Sequence, residues 1–184
     1  MIIRQATPDD SKAIAELMFL AMGEFFYAYI GKEDKDEAMR FARFFIEQKG
    51  NQLSYEHCVV AVKDDLIVAS LNIYDGGKLA QLKKPIVEYV RKHYRADFVL
   101  GDETQAGEYY IDTLAIREDY QGQGIGTHML EFAIEKYVHQ MKGSLGLVVD
   151  KDNPKAKILY FKLGFAVTDC RLLAGRMVEH LTMD

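Results

Sequence analysis

Apolar residues recur along the chain with two periods, one helical and one strand-like, and the switches between them mark out the elements. Ile2-Ile3-Arg4 reads as a short first strand. Thr7-Pro8-Asp9-Asp10 then supplies turn and capping chemistry for a helix that carries Ile14, Leu17, Met18 and Ala21 at helical spacing, with Gly23 as a candidate stop. A second helix is expected from about Asp36 to Lys49, where Met39, Ala42, Phe45 and Ile46 share one face and Gly50-Asn51 closes it.

The rhythm next becomes that of strands. Cys58 to Val62 and Leu66 to Tyr74, joined by Lys63-Asp64-Asp65, have the composition of a β-hairpin, so this end of the sheet should be antiparallel. Between Asp75 and Gly107 a helix is expected around Lys84 to His93, with Pro85 in its first turn, followed by an acidic loop containing Asp102, Glu103 and Glu108. This segment reads as an insertion on the core. Tyr109 to Ile116 is β-branched and aromatic enough for a central strand. A helix to about Met141 follows, its core stripe made by Leu130, Ala133, Ile134, Tyr137, Val138 and Met141. Leu145 to Val149 is a further strand, Asn153-Pro154 opens a helix to Leu163, and two strands close the chain near Phe165–Leu172 and Arg176–Thr182. The pattern is mixed α/β with one sheet.

At 184 residues the chain fits one domain with a full core. A hydrophobic fraction of 49% and a charged fraction of 28% are globular values. The N-terminus has no basic flank before a long apolar run, and no later stretch is read as approaching the ~20 apolar residues of a membrane span. A cytoplasmic protein with no membrane role is therefore expected. Cys58 and Cys170 lie far apart without Cys/His spacing, which points away from disulfides and metal and towards buried small hydrophobes. A formal net charge of −5 lacks the basic footprint of nucleic-acid binding. Lys83, Lys84, Arg91 and Lys92 suit a solvated helix face, and His128 and His180 are read as packed or surface residues without a role.

The segment Gln121-Gly122-Gln123-Gly124-Ile125-Gly126-Thr127 falls between the central strand and a helix. Clustered glycines there let backbone N–H groups approach a phosphate, the helix dipole favours its charge, and no Asp or Glu in the first turn competes for the place. Thr127 and Met129 stand where the last glycine of a dinucleotide fingerprint would fall, and no Gly-Lys-Ser/Thr of a P-loop follows.

With its flanks, the segment resembles the signature of the GNAT superfamily of N-acetyltransferases, Gln/Arg-x-x-Gly-x-Gly/Ala, here Gln121, Gly124 and Gly126. The resemblance extends to the strand Tyr110–Ile116, to Asn153, Ala156, Tyr160 and Gly164-Phe165, and to the opening Ile3-Arg4-x-Ala6-Thr7 with Asp10. It covers nearly the whole chain except the insertion. It implies a single α/β (mixed α+β) domain: a twisted, mostly antiparallel central sheet, helices on both faces, and a parallel pair of strands, ending at Ile116 and Val149, that splays into a slot for acetyl-CoA. It further implies that Leu114, Ala115 and Ile116 hold the pantetheine arm, that the amides of Gln121, Gly122, Gln123, Gly124, Ile125, Gly126 and Thr127 hold the pyrophosphate, and that Asn153 and Tyr160 complete the coenzyme contacts, with no metal. Many relatives carry Arg or Lys in the loop, whereas Gln121 and Gln123 are neutral. Binding should then lean on amides and dipole, with Lys155, Lys157 or Lys162 near an outer phosphate.

The reaction implied is acetyl transfer to a primary amine of a small molecule or peptide, by direct attack in a ternary complex. A lysine-like amine, with a pKa of about 10.4, is only about one part in ~10³ neutral at pH 7, so a base is needed. Relatives often place a glutamate where Tyr110 stands. Asp112 has the same strand parity, barring a bulge, and Glu108 lies one step further upstream, so both are candidate bases, Asp112 equally a structural hydrogen-bonding group. The N–H of Leu114 or Ile116 is a candidate oxyanion donor, and Tyr160 a candidate proton donor to the thiolate. Two alternatives stand beside this: a non-catalytic acyl-CoA sensor of the same fold, against which the retained Tyr160 and complete glycine loop argue, and transfer from a longer acyl-CoA. The acceptor site is expected among the first two helices, the insertion and the last hairpin, near Phe25, Phe26, Tyr27, Tyr29 and Tyr74. Polyamine, aminoglycoside, amino acid and protein N-terminus all remain open as acceptors, as do monomer and homodimer.

Overall fold

The computed structural model describes residues 1–173 and 175–184, with every side chain among them except that of Lys155. Among the described residues seven strands form one sheet: β1 (Ile2–Gln5), β2 (Cys58–Lys63), β3 (Leu66–Asp75), β4 (Glu108–Ile116), β5 (Ser144–Asp150), β6 (Ala166–Leu173) and β7 (Arg176–Met183). Their order is β1-β2-β3-β4-β5-β7-β6, antiparallel throughout except for the parallel pair β4 and β5. Helices α1 (Ser11–Ile30), α2 (Lys35–Glu47) and α3 (Leu79–His93) pack on one face, and α4 (Ile125–Ala133) with α5 (Pro154–Lys162) on the other. Alternation along β2 feeds both cores: Cys58 and Val60 turn to the first, Val59 and Ala61 to the second.

β4 and β5 pair from Glu108–Ser144 as far as Ile111–Leu147. Beyond that point β4 continues against β3 to Ile116 and β5 against β7 to Asp150, so the sheet opens into a wedge. A bulge sits at its apex. Asn72 faces Thr113 and Ile73 faces Ile111, which leaves Asp112 without a partner on β3. The extra residue lets Leu114 turn to the α4 core while Asp112 faces the same chamber as Tyr110.

Several details depart from the sequence reading. The first helix does not stop at Gly23. It bends at Met22 (φ −141°, ψ 31°), runs to Ile30 and ends on Gly31, which takes the left-handed φ of 73° that a helix end favours. The bend turns Ala21 out to solvent. Contrary to the sequence reading, the stretch Pro8–Ile30 is by length and composition apolar enough to cross a membrane, an 18-residue window within it having a mean hydropathy of 1.4. In the fold its Ile14, Met18, Phe26 and Ile30 lie buried against α2 and the sheet.

Helix α3 begins at Leu79, which places Pro85 in its second turn rather than its first. The carbonyl of Gln81 loses its helical donor there, on a face where both residues are exposed to solvent. After Ala133 the fourth helix widens into a π-helical segment, Ile134–Gln140, and Met141 leaves the core stripe half exposed. Cys58 is buried as expected, whereas Cys170 is exposed, because it lies on the edge strand β6.

Candidate functional site

Gly122 and Gly124 adopt left-handed backbone, φ 74° and 78°, and so fold the chain from the end of β4 into α4. No side chain caps α4 and no acid stands in its first turn, which leaves the first amides as donors beside a positive dipole end. Gly126 lets the helix close on the strand: a Cβ there would stand 3.3 Å from Ile116 Cδ1. Beside this turn the edge of β4 beyond Ile111 carries backbone groups that no β5 residue meets. An amide-bearing arm ending in a pyrophosphate fits the two features together.

The loop glutamines brace the turn. Gln121 Nε2 donates to the Ile116 carbonyl at 3.2 Å, and Gln123 Nε2 to that of Asp119 at 3.1 Å. Lys63, at the end of β2, donates to Gln123 Oε1 at 3.1 Å and lies 5.5 Å from the centre of the Tyr120 ring. The cation absent from the loop sequence is thus brought to it by the β2–β3 hairpin. No local pattern signals this, because Lys63 and Gln123 are distant in the chain.

Asn153 Oδ1 accepts from the Ala156 N–H at 3.2 Å and caps α5. Tyr160 stands on the same helix with its ring 5.8 Å from that of Phe165, and burial pushes its hydroxyl pKa up. Of the lysines considered for an outer phosphate, Lys157 is ion-paired with Glu179, Lys162 is exposed, and the Lys155 side chain lies outside the described residues.

On the other face of the sheet a cavity of about 510 Å³ reaches the wedge. Helix α1, the insertion and the β6–β7 hairpin line it together with Asp112, Leu114 and Val148; α2 does not. Phe25 and Tyr29 belong to this wall, while Phe26 is packed in the core.

The two carboxylates expected on β4 part company. Glu108 does not line the cavity. His180 Nε2 lies 2.8 Å from its Oε2, Thr104 Oγ1 donates to its Oε1 at 2.5 Å, and Arg171 meets His180 Nδ1 at 2.5 Å. Burial pushes the Glu108 carboxyl up, but these contacts outweigh it and hold the group below its usual range. His180 is accordingly a packed residue, and His128 is exposed.

Asp112 lines the cavity beside Glu103 of the insertion. Burial first, and then the charge and hydrogen bond of Glu103, hold its carboxyl well above the usual range. Glu103 is itself raised by burial, against hydrogen bonds from Asp112, Tyr74 and Gln52. Gln52 Nε2 donates to Glu103 Oε1 at 2.9 Å, and the Tyr74 hydroxyl lies at 3.4 Å. The position where a glutamate was sought holds Tyr110, and Glu103 arrives at the same place from the insertion.

A family model for the acetyltransferase (GNAT) family matches residues 14–165. The crystal structure of an acetyltransferase superposes with a TM-score of 0.85 at 25% identity, covering 100% of this chain and 99% of its own. An N-acetyltransferase from Staphylococcus aureus Mu50 gives 0.85 at 24% identity, covering 100% of each chain. The ribosomal-protein-S18-alanine N-acetyltransferase from Escherichia coli shares the fold more distantly, at 0.59 and 16% identity over 99% of this chain and 92% of its own. No curated protein matches in sequence.

Proposed function

The chain belongs to the acetyltransferase (GNAT) family, and from that premise we propose that it moves the acetyl group of acetyl-CoA to a primary amine of a small molecule or peptide, by direct attack while both are bound. The observation that carries this reading is a coincidence in space: the wedge, the glycine turn and a second chamber all meet at the end of β4. A sensor of acyl-CoA needs the first two and has no use for the third.

Backbone groups of Leu114, Ala115 and Ile116 take the pantetheine arm, and the amides from Gln121 to Thr127 take the pyrophosphate with the α4 dipole and Lys63 behind them. Asn153 fixes the start of α5 and so places Tyr160. The amine nitrogen attacks the thioester carbonyl; a C–N bond forms, the C–S bond breaks, and the N–H of Leu114 or Ile116 donates to the oxyanion between. Tyr160 donates to the departing sulfur. Its phenol, raised by burial, is a weaker acid than a thiol, so this help belongs to the transition state, not to a completed transfer.

The test is thiol release from acetyl-CoA across polyamines, aminoglycosides, amino acids and peptides, with Tyr160→Phe in parallel. Amine-dependent release that falls about 10- to 100-fold in the variant is expected. Binding of acetyl-CoA by calorimetry with no release for any amine would instead establish the sensor.

A further inference from the structure

At the inner end of the cavity two carboxyl groups from distant parts of the chain meet, Asp112 from the β4 bulge and Glu103 from the insertion. Two further atoms point to a ligand. Tyr110 is 0% exposed and its hydroxyl has no partner among the described residues; Gln52 is 3% exposed and its Oε1 has none either. Both side chains line the cavity beside Asp112. A buried amide oxygen left without a donor is costly, so Gln52 Oε1 calls for a ligand N–H, while the Tyr110 hydroxyl beside it can donate or accept.

Charge points the same way. Facing the pair are Tyr29 of α1, Tyr74 of β3, Tyr110 of β4 and Lys83 of α3. Lys83 is the cation of this set, and it is already held by Asp102. Two adjacent carboxylates do not both ionise, so the pair keeps one proton and a single negative charge. Towards the mouth the wall is apolar at Phe25, Phe98, Val99 and Leu173. The charged groups lining it there are Arg95, Arg176 and Asp150; Arg176 is ion-paired with Glu24 at 2.7 Å and lies 3.9 Å from Asp150. Among the residues lining the mouth, a second ammonium finds two guanidinium groups against one carboxylate, Asp150.

We propose that Glu103 and Asp112 together seat the acceptor's ammonium and take its proton, and that the acceptor is a single primary alkylammonium on an apolar body, not a polyamine. This rests on the acetyl-transfer reading. The ammonium gives one proton to the pair, which becomes neutral with a proton on each carboxyl. The neutral amine then attacks, and the second nitrogen proton balances that gained by the thiolate. The pair returns its proton to solvent after release, so one proton is liberated for each amide formed.

The test measures kcat/KM from about pH 6 to about pH 10 for the intact protein, Glu103→Gln and Asp112→Asn. It uses an n-alkylamine and the α,ω-diamine of the same length, with acetyl-CoA binding by calorimetry as the check of fold. The wild type should level off well below the amine's own pKa and prefer the monoamine by about tenfold or more. Each variant should lose about 10²-fold at pH 7 and keep climbing with pH towards the amine's pKa, where free neutral amine replaces the missing base. Variants that parallel the wild-type profile, or a wild type that handles the diamine as well as the monoamine, overturn the proposal and leave acetyl transfer standing. The amine comparison on the wild type decides even where a variant fails to fold. A wild type that binds acetyl-CoA and releases thiol to no amine overturns both.

Discussion

Glu108 and Asp112 are four residues apart on one strand, and their surroundings drive them in opposite directions. Glu108 meets an imidazole and a hydroxyl; Asp112 meets another carboxyl and three tyrosines. Strand parity puts a side chain on a face, but the neighbouring strand and loop decide what it finds there. Gly146 of β5 shows how closely the first environment is built, since a methyl group at that position would run into the Glu108 carboxylate. The bulge at Asp112 does the reverse, lifting the residue out of the ladder and into the chamber.

Linkage gives the two groups opposite signs. Glu108 is held below its unfolded value, so its contribution to stability is present above that value and is lost as pH falls through the folded one, below about pH 4. Asp112 and Glu103 are raised, so the folded protein binds more protons there than the unfolded chain. Their effect is a loss of stability as pH rises from the unfolded carboxylate value through the folded one, and it persists above.

The largest effect that should separate the two sites is on rate. Asp112→Asn should lower amine-dependent thiol release at pH 7 by about 10²-fold with thermal stability at neutral pH unchanged or improved; a matched loss of rate and stability would merge the two sites into one structural role. Next comes Glu108→Ala, which leaves His180 and Thr104 without their carboxylate. A loss of about 3 kcal/mol in urea unfolding is expected, with kcat of the folded fraction close to wild type. Gly146→Ala should cost about 1–3 kcal/mol by crowding, and less when Glu108 is already alanine, a coupling that a double-mutant cycle measures. Smallest is Lys63→Ala, expected to weaken acetyl-CoA binding about two- to fivefold at low salt, the difference shrinking as salt is added.

What was legible in the sequence was what is local in it. The glycine turn is contiguous, and the strand and helix on either side announce themselves by period. The splayed parallel pair, expected from the family resemblance, is there. The kink at Met22 was missed because a helix can continue through glycine when tertiary packing holds the next turn, and Phe26, Tyr29 and Ile30 bury that turn. The π-helical segment after Ala133 leaves no mark on the apolar spacing until Met141 falls out of register. In the site, Glu103 and Lys63 were invisible as functional residues because each is delivered by a separate loop to a place set by β4. Glu103 looked like one acid in an acidic loop; only the fold distinguishes it from Asp102, which stays on the surface and pairs with the largely buried Lys83.

The most direct test of opposite carboxylates on one strand is a pH titration of the side-chain carboxyl carbons of Glu108, Asp112 and Glu103 by NMR in the intact protein. The account predicts that Glu108 titrates below the ordinary carboxylate range while the Asp112–Glu103 pair keeps one proton well above it, and that Glu103→Gln brings Asp112 down. Three carboxyls titrating together in the ordinary range, or an Asp112 that does not move when Glu103 is replaced, would contradict it.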